Sequence, residues 1–401
     1  MESAGLAKLL SPDGWALLSA LPPYDEHQAM ALSERLRKDG FDADLVAAAL
    51  TQSRLRARAH DKLGEFADGM LFTPVGLEQA TRLVVAAHHA RRYLAAGITY
   101  VADLTSGLGA DAMAMAGMGL RVLAIDADET TAALATVNLR HFPEVVVRHG
   151  DGLALDLVAE GVGGVYADPA RRTTGGSRVH DPAAYSPPLD AVLAVRGTVP
   201  ALGLKLGPGV PHSALPDDAE AQWVSVDGDV VELGLWFGPL APDGPGRSAL
   251  LLTSLGGSTV LRRPAGQDPE PPPVGPVGGY LYEPDGAVIR AGLVAEVAAE
   301  VQGRLLDRTI AYVTSDVLVP TPHAAVYRVL DTLPFGLKRL RAYLRERDVG
   351  SLTIKKRGTA VVPEQLRRQL DLRGSRPATI VLTRVAATQQ VLLVEPVGQL
   401  G

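Results

Sequence analysis

The chain has 401 residues, of which 47% are hydrophobic and 21% charged, and its formal net charge is −6. This composition excludes a fully disordered chain, and the length suggests about two or three domains. The absence of cysteine excludes disulfides, a thiol nucleophile, an iron–sulfur cluster and thiolate-held zinc. No apolar run reaches the roughly 18–20 residues of a membrane span, and residues 1–10 show no signal-peptide pattern. We therefore expect a cytoplasmic protein.

The first part of the chain has the apolar spacing of helices. Hydrophobic residues recur at i, i+3 and i+4 from Trp15 to about Arg92, with a break at Phe72-Thr73-Pro74. This pattern predicts a helical region over residues 1–75, followed by a helix over 76–94.

From Ile98 onwards, short apolar strands alternate with helices. The predicted strands lie at 98–104, 121–126, 145–147, 162–168 and 202–206. Such alternation with short loops is typical of a parallel α/β sheet. The stretches 222–226, 230–237 and 249–255 are rich in strand-forming residues and would form an antiparallel edge. We assign this whole domain to residues 76–262.

The last third of the chain divides at a Pro/Gly-rich segment. Residues 263–279 read as a loop, and we assign 263–332 to a linker and docking segment. The remaining domain, 333–401, is predicted to be a small α/β fold. Its elements are helices at 337–347 and 363–370 and strands at 351–357, 378–384 and 390–395.

Positive charge is concentrated in this last domain. Between Leu337 and Arg384 the sequence has 13 Lys and Arg against four Asp and Glu, a net charge of +9, whereas the rest of the chain carries −15. An asymmetry of this kind indicates a separate module with a polyanionic partner. A solvated helix face is the simpler alternative.

A glycine-rich turn follows the first predicted strand. Asp103 ends the strand, and Gly107 and Gly109 precede a helix, which lets the backbone approach a ligand closely. Gly107-x-Gly109-x-x-Ala112 also fits the fingerprint of NAD-binding folds. A carboxylate at Asp103 would repel a pyrophosphate and attract a cationic amine and sulfonium, so charge favours S-adenosylmethionine over NAD.

Acidic residues end the next three predicted strands. Asp126 lies about 20 residues beyond the turn, where a carboxylate can accept both hydroxyls of a ribose. Asp151 follows the third strand and Asp168 the fourth. For each acid alone, a helix N-cap role is a common alternative. Because ligands bind at the carboxyl ends of strands in doubly wound sheets, four acids at this edge predict a binding site.

The segment from Phe72 to Leu255 resembles class I S-adenosylmethionine-dependent methyltransferases. The resemblance implies a doubly wound Rossmann-like sheet, in which Asp103-x-x-x-Gly107-x-Gly109 is the cofactor loop and Thr105 replaces a common first glycine. It also makes Asp126 the ribose-binding acid and Asp151 the acid near adenine. We further expect Thr73 to contact the methionine end of the cofactor.

Asp168-Pro169 resembles the start of the (Asp/Asn)-Pro-Pro-aromatic motif of amino-group methyltransferases. In that motif the side-chain oxygen and a backbone carbonyl hold the target amine, and the aromatic ring stacks on the base. Here Ala170 replaces the second proline and Arg171 the aromatic residue. Arg171 or Arg172 could stack through its guanidinium plane or contact phosphate, and ion pairing with nearby acids is the alternative.

The order of the whole chain resembles bacterial methyltransferases with a C-terminal THUMP-like domain. THUMP domains are associated with RNA binding, so the resemblance implies a tRNA or rRNA substrate. We expect Lys355, Lys356 and Arg357 to contact phosphate, together with Arg172. The catalytic group is expected to include Asp168, Pro169 and Arg171.

Several alternatives remain open at this point. They are a catalytically silent RNA-binding or assembly protein, an NAD-linked oxidoreductase, and a methyltransferase acting on DNA, protein or a small molecule. The histidines show no metal-ligand spacing, since His88 and His89 are adjacent, so no metal is expected.

Overall fold

The computed structural model describes residues 3–170 and 185–398. Arg171 and Arg172 therefore lie outside the described residues. The chain divides into two compact units, Met1–Val210 with Gly234–Asp243, and Pro211–Leu233 with Gly244–Gly401. No helix in the described ranges is long and apolar enough to cross a membrane.

The first unit begins with four helices, in agreement with the helical pattern of the sequence: α1 (Ser3–Leu9), α2 (Pro12–Ala20), α3 (Ala29–Lys38) and α4 (Ala43–Leu63). Helix α4 packs against the other three, and its apolar residues Val46, Leu55 and Leu63 are buried in the core of the unit. Asp42 caps its N-terminus by accepting hydrogen bonds from the backbone N–H groups of Asp44 and Leu45.

Where the sequence predicts one helix over 76–94, the structure has two. They are α5 (Pro74–Gln79) and α6 (Leu83–Ala95). Helix α5 ends at Gln79, where a lysine side chain, in place of a further helical turn, hydrogen-bonds the last carbonyl oxygens. Lys62 donates to the carbonyl oxygens of Leu77, Glu78 and Ala80.

A parallel sheet forms the centre of the first unit. Its strands are β1 (Tyr100–Asp103), β2 (Arg121–Asp126), β3 (Val145–His149), β4 (Gly164–Ala167) and β5 (Leu202–Leu206), in the order β3-β2-β1-β4-β5. Helices α7 (Ala110–Gly117), α8 (Glu129–Asn138) and α9 (Leu189–Ala194) accompany them. The chain moves outward from β1 to β3 and then returns to the other side of β1 at β4. This reversal is the point at which doubly wound sheets bind ligands.

The second unit contains β6 (Glu220–Val226), part of β7 (Asp229–Trp236), β8 (Gly246–Leu252) and β9 (Ser258–Pro264). The sequence predicts an antiparallel edge here. Strands β8 and β9 are antiparallel, but β6 and β8 pair in parallel, because the segment between them includes β7 and returns the chain to the same end. That part of the expectation was wrong.

A seven-stranded sheet forms the rest of the second unit, in the order β11-β12-β10-β13-β16-β15-β14. Its strands are β10 (Tyr280–Pro284), β11 (Arg304–Asp307), β12 (Ile310–Ser315), β13 (Ala324–Pro334), β14 (Val349–Lys356), β15 (Arg376–Val385) and β16 (Thr388–Pro396). The helices are α10 (Gly286–Ala291), α11 (Val294–Glu300), α12 (Leu337–Glu346) and α13 (Pro363–Leu370). Helices α12 and α13 bury one leucine-lined side each, at Leu340 and Leu344 and at Leu366 and Leu370.

Gly203 of β5 packs closely against two aromatic rings, and a substitution there tests this packing in the first unit. A Cβ atom at Gly203 would lie 2.6 Å from both Trp236 Cζ3 and Tyr93 Oη. We expect Gly203→Ala to lower the free energy of unfolding by about 1–3 kcal/mol, because these rings are buried and have little room to move. Thermal unfolding followed by circular dichroism measures the change.

Gly197→Ala is the matched control, since a Cβ there would meet nothing within 4 Å. Its unfolding midpoint should match that of the wild type. Equal destabilisation by the two substitutions would contradict the packing at Gly203.

Candidate functional site

The glycine-rich turn lies at the carboxyl edge of the sheet, between the end of β1 and the start of α7. Gly107 and Gly109 have φ values of +55° and +87°, in the left-handed region that favours glycine. At Gly109 a Cβ would lie 2.8 Å from Leu139 Cδ1, whereas at Gly107 it would meet nothing within 4 Å. The turn is therefore packed on one side and leaves room for a ligand at Gly107.

Three of the acids predicted from the sequence, Asp103, Asp126 and Asp168, lie close to one another at this turn. Asp103 is 1% exposed and pairs in register with Ala124 of β2 and Tyr166 of β4. Burial raises its pKa well above the ordinary value, and the negative charges of Asp111, Asp168 and Asp126 raise it further. The structure thus brings these carboxylates close enough to repel one another.

Asp126 connects β2 to the turn. Its Oδ2 accepts a hydrogen bond from the Gly107 N–H at 2.9 Å, and its Oδ1 accepts one from the Asp128 N–H at 2.9 Å. Burial raises the pKa of Asp126, although both backbone hydrogen bonds oppose that effect. Because a carboxylate offers about four acceptor positions, two hydrogen bonds leave capacity for the hydroxyls of a ribose.

Asp151 and Thr73 both accept a hydrogen bond at the N-terminus of a short helical segment, residues 152–154 for Asp151 and α5 for Thr73. Asp151 Oδ1 accepts from the Leu153 N–H at 2.9 Å, and the adjacent Gly152 approaches Leu104 so closely that a Cβ there would lie 3.0 Å away. Thr73 Oγ1 accepts from the Gly76 N–H at 2.9 Å. The structure places Asp151 beside the start of the turn.

Thr105 joins the turn to the end of β4. Its Oγ1 accepts a hydrogen bond from the Asp168 N–H at 2.6 Å, and its own N–H donates to Asp103 Oδ1 at 3.2 Å. A glycine at this position would lose the first of these contacts. Thr105 therefore fixes the backbone at Asp168 relative to Asp103.

The segment after β4 begins with a half-buried acid and a buried proline. Asp168 is followed by Pro169, and Ala170 then pairs with Ser186 through two backbone hydrogen bonds of 2.8 and 3.1 Å. Residues 171–184, which include Arg171, lie outside the described ranges. The two ends of this loop are thus held together at its base.

Sequence reasoning missed a lysine that contacts Asp168. Lys205, in the middle of the apolar strand β5, donates from Nζ to Asp168 Oδ2 at 2.5 Å and to Thr81 Oγ1 at 2.8 Å. A single charged residue in an otherwise apolar central strand is the signal that could have indicated it, because a buried ammonium needs a partner.

The three basic residues predicted to contact phosphate already have intramolecular contacts. Lys355 donates to Glu283 Oε2 at 2.6 Å, Lys356 donates to the Val361 carbonyl oxygen at 2.9 Å, and the Arg357 guanidinium lies 5.3 Å from the centre of the Tyr312 ring. The charge of Lys355 is therefore largely compensated within the second unit.

The turn and its acids form a site suited to a ligand with a positive charge and a diol. Ser106 Oγ in the turn is buried and has no hydrogen-bond partner among the described residues, so a ligand can supply one. A cation near Asp103 would offset the repulsion among the surrounding carboxylates. The residues present fit an adenosine-type group with a cationic tail.

Comparison with known proteins gives two family matches. Residues 324–396 match a family described as THUMP domain-like. Residues 2–59 match a domain of unknown function, DUF8688.

Similar proteins cover most of the chain. A protein described as an uncharacterized S-adenosylmethionine-dependent methyltransferase, found in two strains of Mycobacterium tuberculosis, is 36% identical over 349 residues, which is 83% of this chain and 91% of the relative. The crystal structure of a candidate methyltransferase from Porphyromonas gingivalis W83 has a TM-score of 0.72 at 23% identity and covers 93% of this chain and 99% of its own. That structure shows a shared fold.

The raised pKa of Asp103 predicts a pH-dependent stability. A carboxyl group with a raised pKa stabilises the fold below its ordinary pKa, and this contribution is lost as the pH rises through the folded-state value. Asp103→Asn should therefore raise the unfolding midpoint by several degrees at pH 8 and by much less at pH 4. The amide oxygen can still accept from Thr105.

Asp128→Asn is the control of opposite sign. Hydrogen bonds from the Thr131 side chain and backbone lower the pKa of Asp128, so its contribution is present above the ordinary pKa and is lost as the pH falls. This variant should lose stability at pH 8 and match the wild type at low pH. A pH-independent effect of Asp103→Asn would contradict the electrostatic account.

Proposed function

We propose that the methyl acceptor of this chain, which belongs to the S-adenosylmethionine-dependent methyltransferases, is an amino group on a base of tRNA or rRNA. The observation that carries the proposal is the position of Asp168. It follows β4 directly and lies beside Asp103 and the glycine-rich turn at the point where the strand order reverses. An acceptor bound there would lie next to a cofactor in the turn.

The residues around the turn fit S-adenosylmethionine. In this proposal Asp126 holds the ribose hydroxyls, Asp151 lies near the adenine, and Gly107 and Gly109 allow the backbone to approach. Asp103 faces the charged methionine end. Thr105 aligns the turn with Asp168, and Thr73 lies at the start of the segment that leads into the turn.

The chemistry requires proximity and alignment more than a strong base. When bound, S-adenosylmethionine supplies a methyl carbon on a sulfonium, which accepts the nitrogen lone pair as the carbon–sulfur bond breaks. The Asp168 carboxylate accepts a hydrogen bond from the amino group and so orients its lone pair. After transfer the nitrogen carries an additional positive charge, and its proton can pass to the carboxylate or to water.

Pro169 and Arg171 complete the proposed acceptor site by resemblance. The backbone carbonyl after Asp168 would accept the second N–H of the amino group. Arg171 stands where amino-group methyltransferases carry an aromatic residue, and a guanidinium plane can stack on a base.

The basic surface of the THUMP-like domain supports RNA as the substrate class. On α12 and α13, Lys338, Arg339 and Arg368 are exposed and have no ion-pair partner in the described part of the chain. Arg341 and Arg345 of α12 donate to carbonyl oxygens at the end of α13, so the two helices present one surface. We propose that this surface contacts RNA phosphates together with Lys355, Lys356, Arg357 and Arg172.

Substitution of Asp168 tests the acceptor site. Asp168→Ala should reduce labelled methyl transfer to total small RNA from a deletion strain by about 100-fold or more, because the amino group loses its orienting acceptor. Binding of S-adenosylhomocysteine, measured by calorimetry, should stay within about threefold of the wild type.

Asp190→Ala is the control for Asp168→Ala, since Asp190 is exposed in the first turn of α9. It should leave transfer unchanged. If wild-type protein binds S-adenosylhomocysteine but transfers no methyl group to RNA, the RNA proposal is overturned, and DNA, protein or small-molecule acceptors become the next substrates to assay.

Salt dependence tests the basic surface. Arg339→Gln and Arg368→Gln should each weaken RNA binding and lower the slope of log K against log salt by about 0.7–1, because each phosphate contact releases counterions. Titration of labelled small RNA by fluorescence anisotropy at several salt concentrations measures this slope.

Arg304→Gln is the matched control, because Arg304 is paired with Asp316 at 2.8 Å. It should leave the slope unchanged. Lys356→Gln locates the contact: a fall in slope there, with none at Arg339 or Arg368, would place the RNA on the β14 end and away from α12 and α13.

A further inference from the structure

Asp168 is connected to a series of hydrogen-bonded polar side chains, which are Lys205, Thr81, Asp111 and His89. Lys205 of β5 is 9% exposed. In addition to Asp168 and Thr81, its Nζ lies 3.4 Å from the Gln79 carbonyl oxygen. These three oxygens come from two separate segments of the first unit, the stretch between α5 and α6 and the end of β4, and they fix the position of the ammonium group.

Thr81 is itself held in one orientation. Its hydroxyl donates to Asp111 Oδ2 at 2.7 Å, so it presents a lone pair to Lys205. The other oxygen of Asp111 lies 2.8 Å from His89 Nδ1. Burial alone would raise the pKa of Asp111, but the hydrogen bond from His89 and the positive charges of His89 and Lys205 hold it below the ordinary value.

Other carboxyl groups lie at the same edge of the sheet as Asp168. They are those of Asp103 on β1, Asp126 on β2 and Asp111 on α7, and they interact electrostatically with one another. Lys205 provides the opposite charge from β5, in contact with the carboxylate. An ionised carboxylate offers both oxygens as acceptors, whereas a protonated one carries an O–H donor. The charge state of Asp168 therefore sets how strongly it accepts from the N–H groups of an amine.

We propose that Lys205 is the positioning residue of the acceptor site, which keeps the Asp168 carboxylate ionised and in one orientation toward the incoming amino group. This inference rests on the proposed function. Lys205 acts through Asp168 and does not itself contact the substrate. Thr81, Asp111 and His89 act one step further away, because they set the position of the ammonium group.

Lys62 is a matched control for Lys205, because both lysines hold the segment 77–81 in place through hydrogen bonds. It donates to the carbonyl oxygens of Leu77, Glu78 and Ala80, whereas Lys205 reaches Gln79 and Thr81 in the same segment. Burial and the positive charges of Lys205 and Arg82 lower the pKa of Lys62 to about 8. Of these two lysines, Lys205 is the one that contacts Asp168 in the described residues.

The experiment compares Lys205→Met, Lys205→Arg and Lys62→Met in full-length protein. Lys205→Met should reduce kcat for methyl transfer to small RNA by about 100-fold and shift the acid limb of the pH profile to higher pH, because the carboxylate then protonates more easily. Lys205→Arg should restore most of kcat. Lys62→Met and the affinity of all variants for S-adenosylhomocysteine should remain close to the wild type.

A second measurement needs no substrate. Unfolding midpoints of Lys205→Met, Asp168→Asn and the double variant form a thermodynamic cycle, recorded at pH 5 and pH 8. If Lys205 acts through the charge of Asp168, its loss should destabilise the protein strongly at pH 8 and much less in the Asp168→Asn background. Lys205→Arg covers the case in which Lys205→Met does not fold.

The possible outcomes separate the two proposals. An unchanged pH profile in Lys205→Met, equal loss of kcat in Lys62→Met, or an additive cycle at pH 8 would overturn the role of Lys205. Normal transfer by Asp168→Ala, or no transfer by the wild type, would instead overturn the proposed acceptor site, and the cycle would still decide whether Lys205 controls the Asp168 charge.

Discussion

Concentrated negative charge at the carboxyl edge of the β1–β5 sheet is the constraint around which the first unit is built. Asp103 is almost completely buried, and the nearby carboxylates of Asp111, Asp126 and Asp168 raise its pKa. Burying charge without compensation is costly. The fold meets this cost with backbone N–H groups at Asp126 and with Lys205 at Asp168. The space beside Gly107 is open, so a cationic ligand can add to the compensation.

This view explains why a methyltransferase site needs so few specialised groups. The cofactor carries its reactivity in the sulfonium, and the protein supplies alignment and a complementary field. Thr105 connects the two halves of the site through a hydrogen bond to the Asp168 backbone. Thr105 also donates to Asp103, so a displacement of the glycine-rich turn would be transmitted to the backbone at Asp168.

Local sequence predicted much of this site. The glycine-rich turn and its acids were identifiable because each lies at the end of an apolar strand, and the parallel sheet then collects strand ends at one edge. Lys205 and Thr81 were missed because their contacts join residues that are far apart in the sequence: 124 positions for Lys205 and Thr81, 37 for Lys205 and Asp168, and 30 for Thr81 and Asp111. The break between α5 and α6 was missed for the same reason. The carbonyl oxygens of residues 77–80 accept hydrogen bonds from the distant side chains of Lys62 and Lys205.

In the second unit, the sequence predicted α13 with its observed bounds and most of the last strands to within two or three residues. Strands β10 and β13 were not predicted, although both are central in the sheet. Their neighbours, β12 and β16, lie far along the chain, and pairing across such a distance leaves no local signature. The partner of Lys355, Glu283 on β10, was invisible to sequence reasoning for that reason.

The two backbone hydrogen bonds between Ala170 and Ser186 have a consequence for how such an enzyme can diversify. They hold the chain before and after residues 171–184 at one point, directly after Asp168 and Pro169. Residues within that segment can be exchanged, lengthened or shortened while the carboxylate stays where β4 and Thr105 place it. If Asp168 holds the methyl acceptor, as we propose, changes in the sequence of this segment can alter target preference while the carboxylate keeps its place.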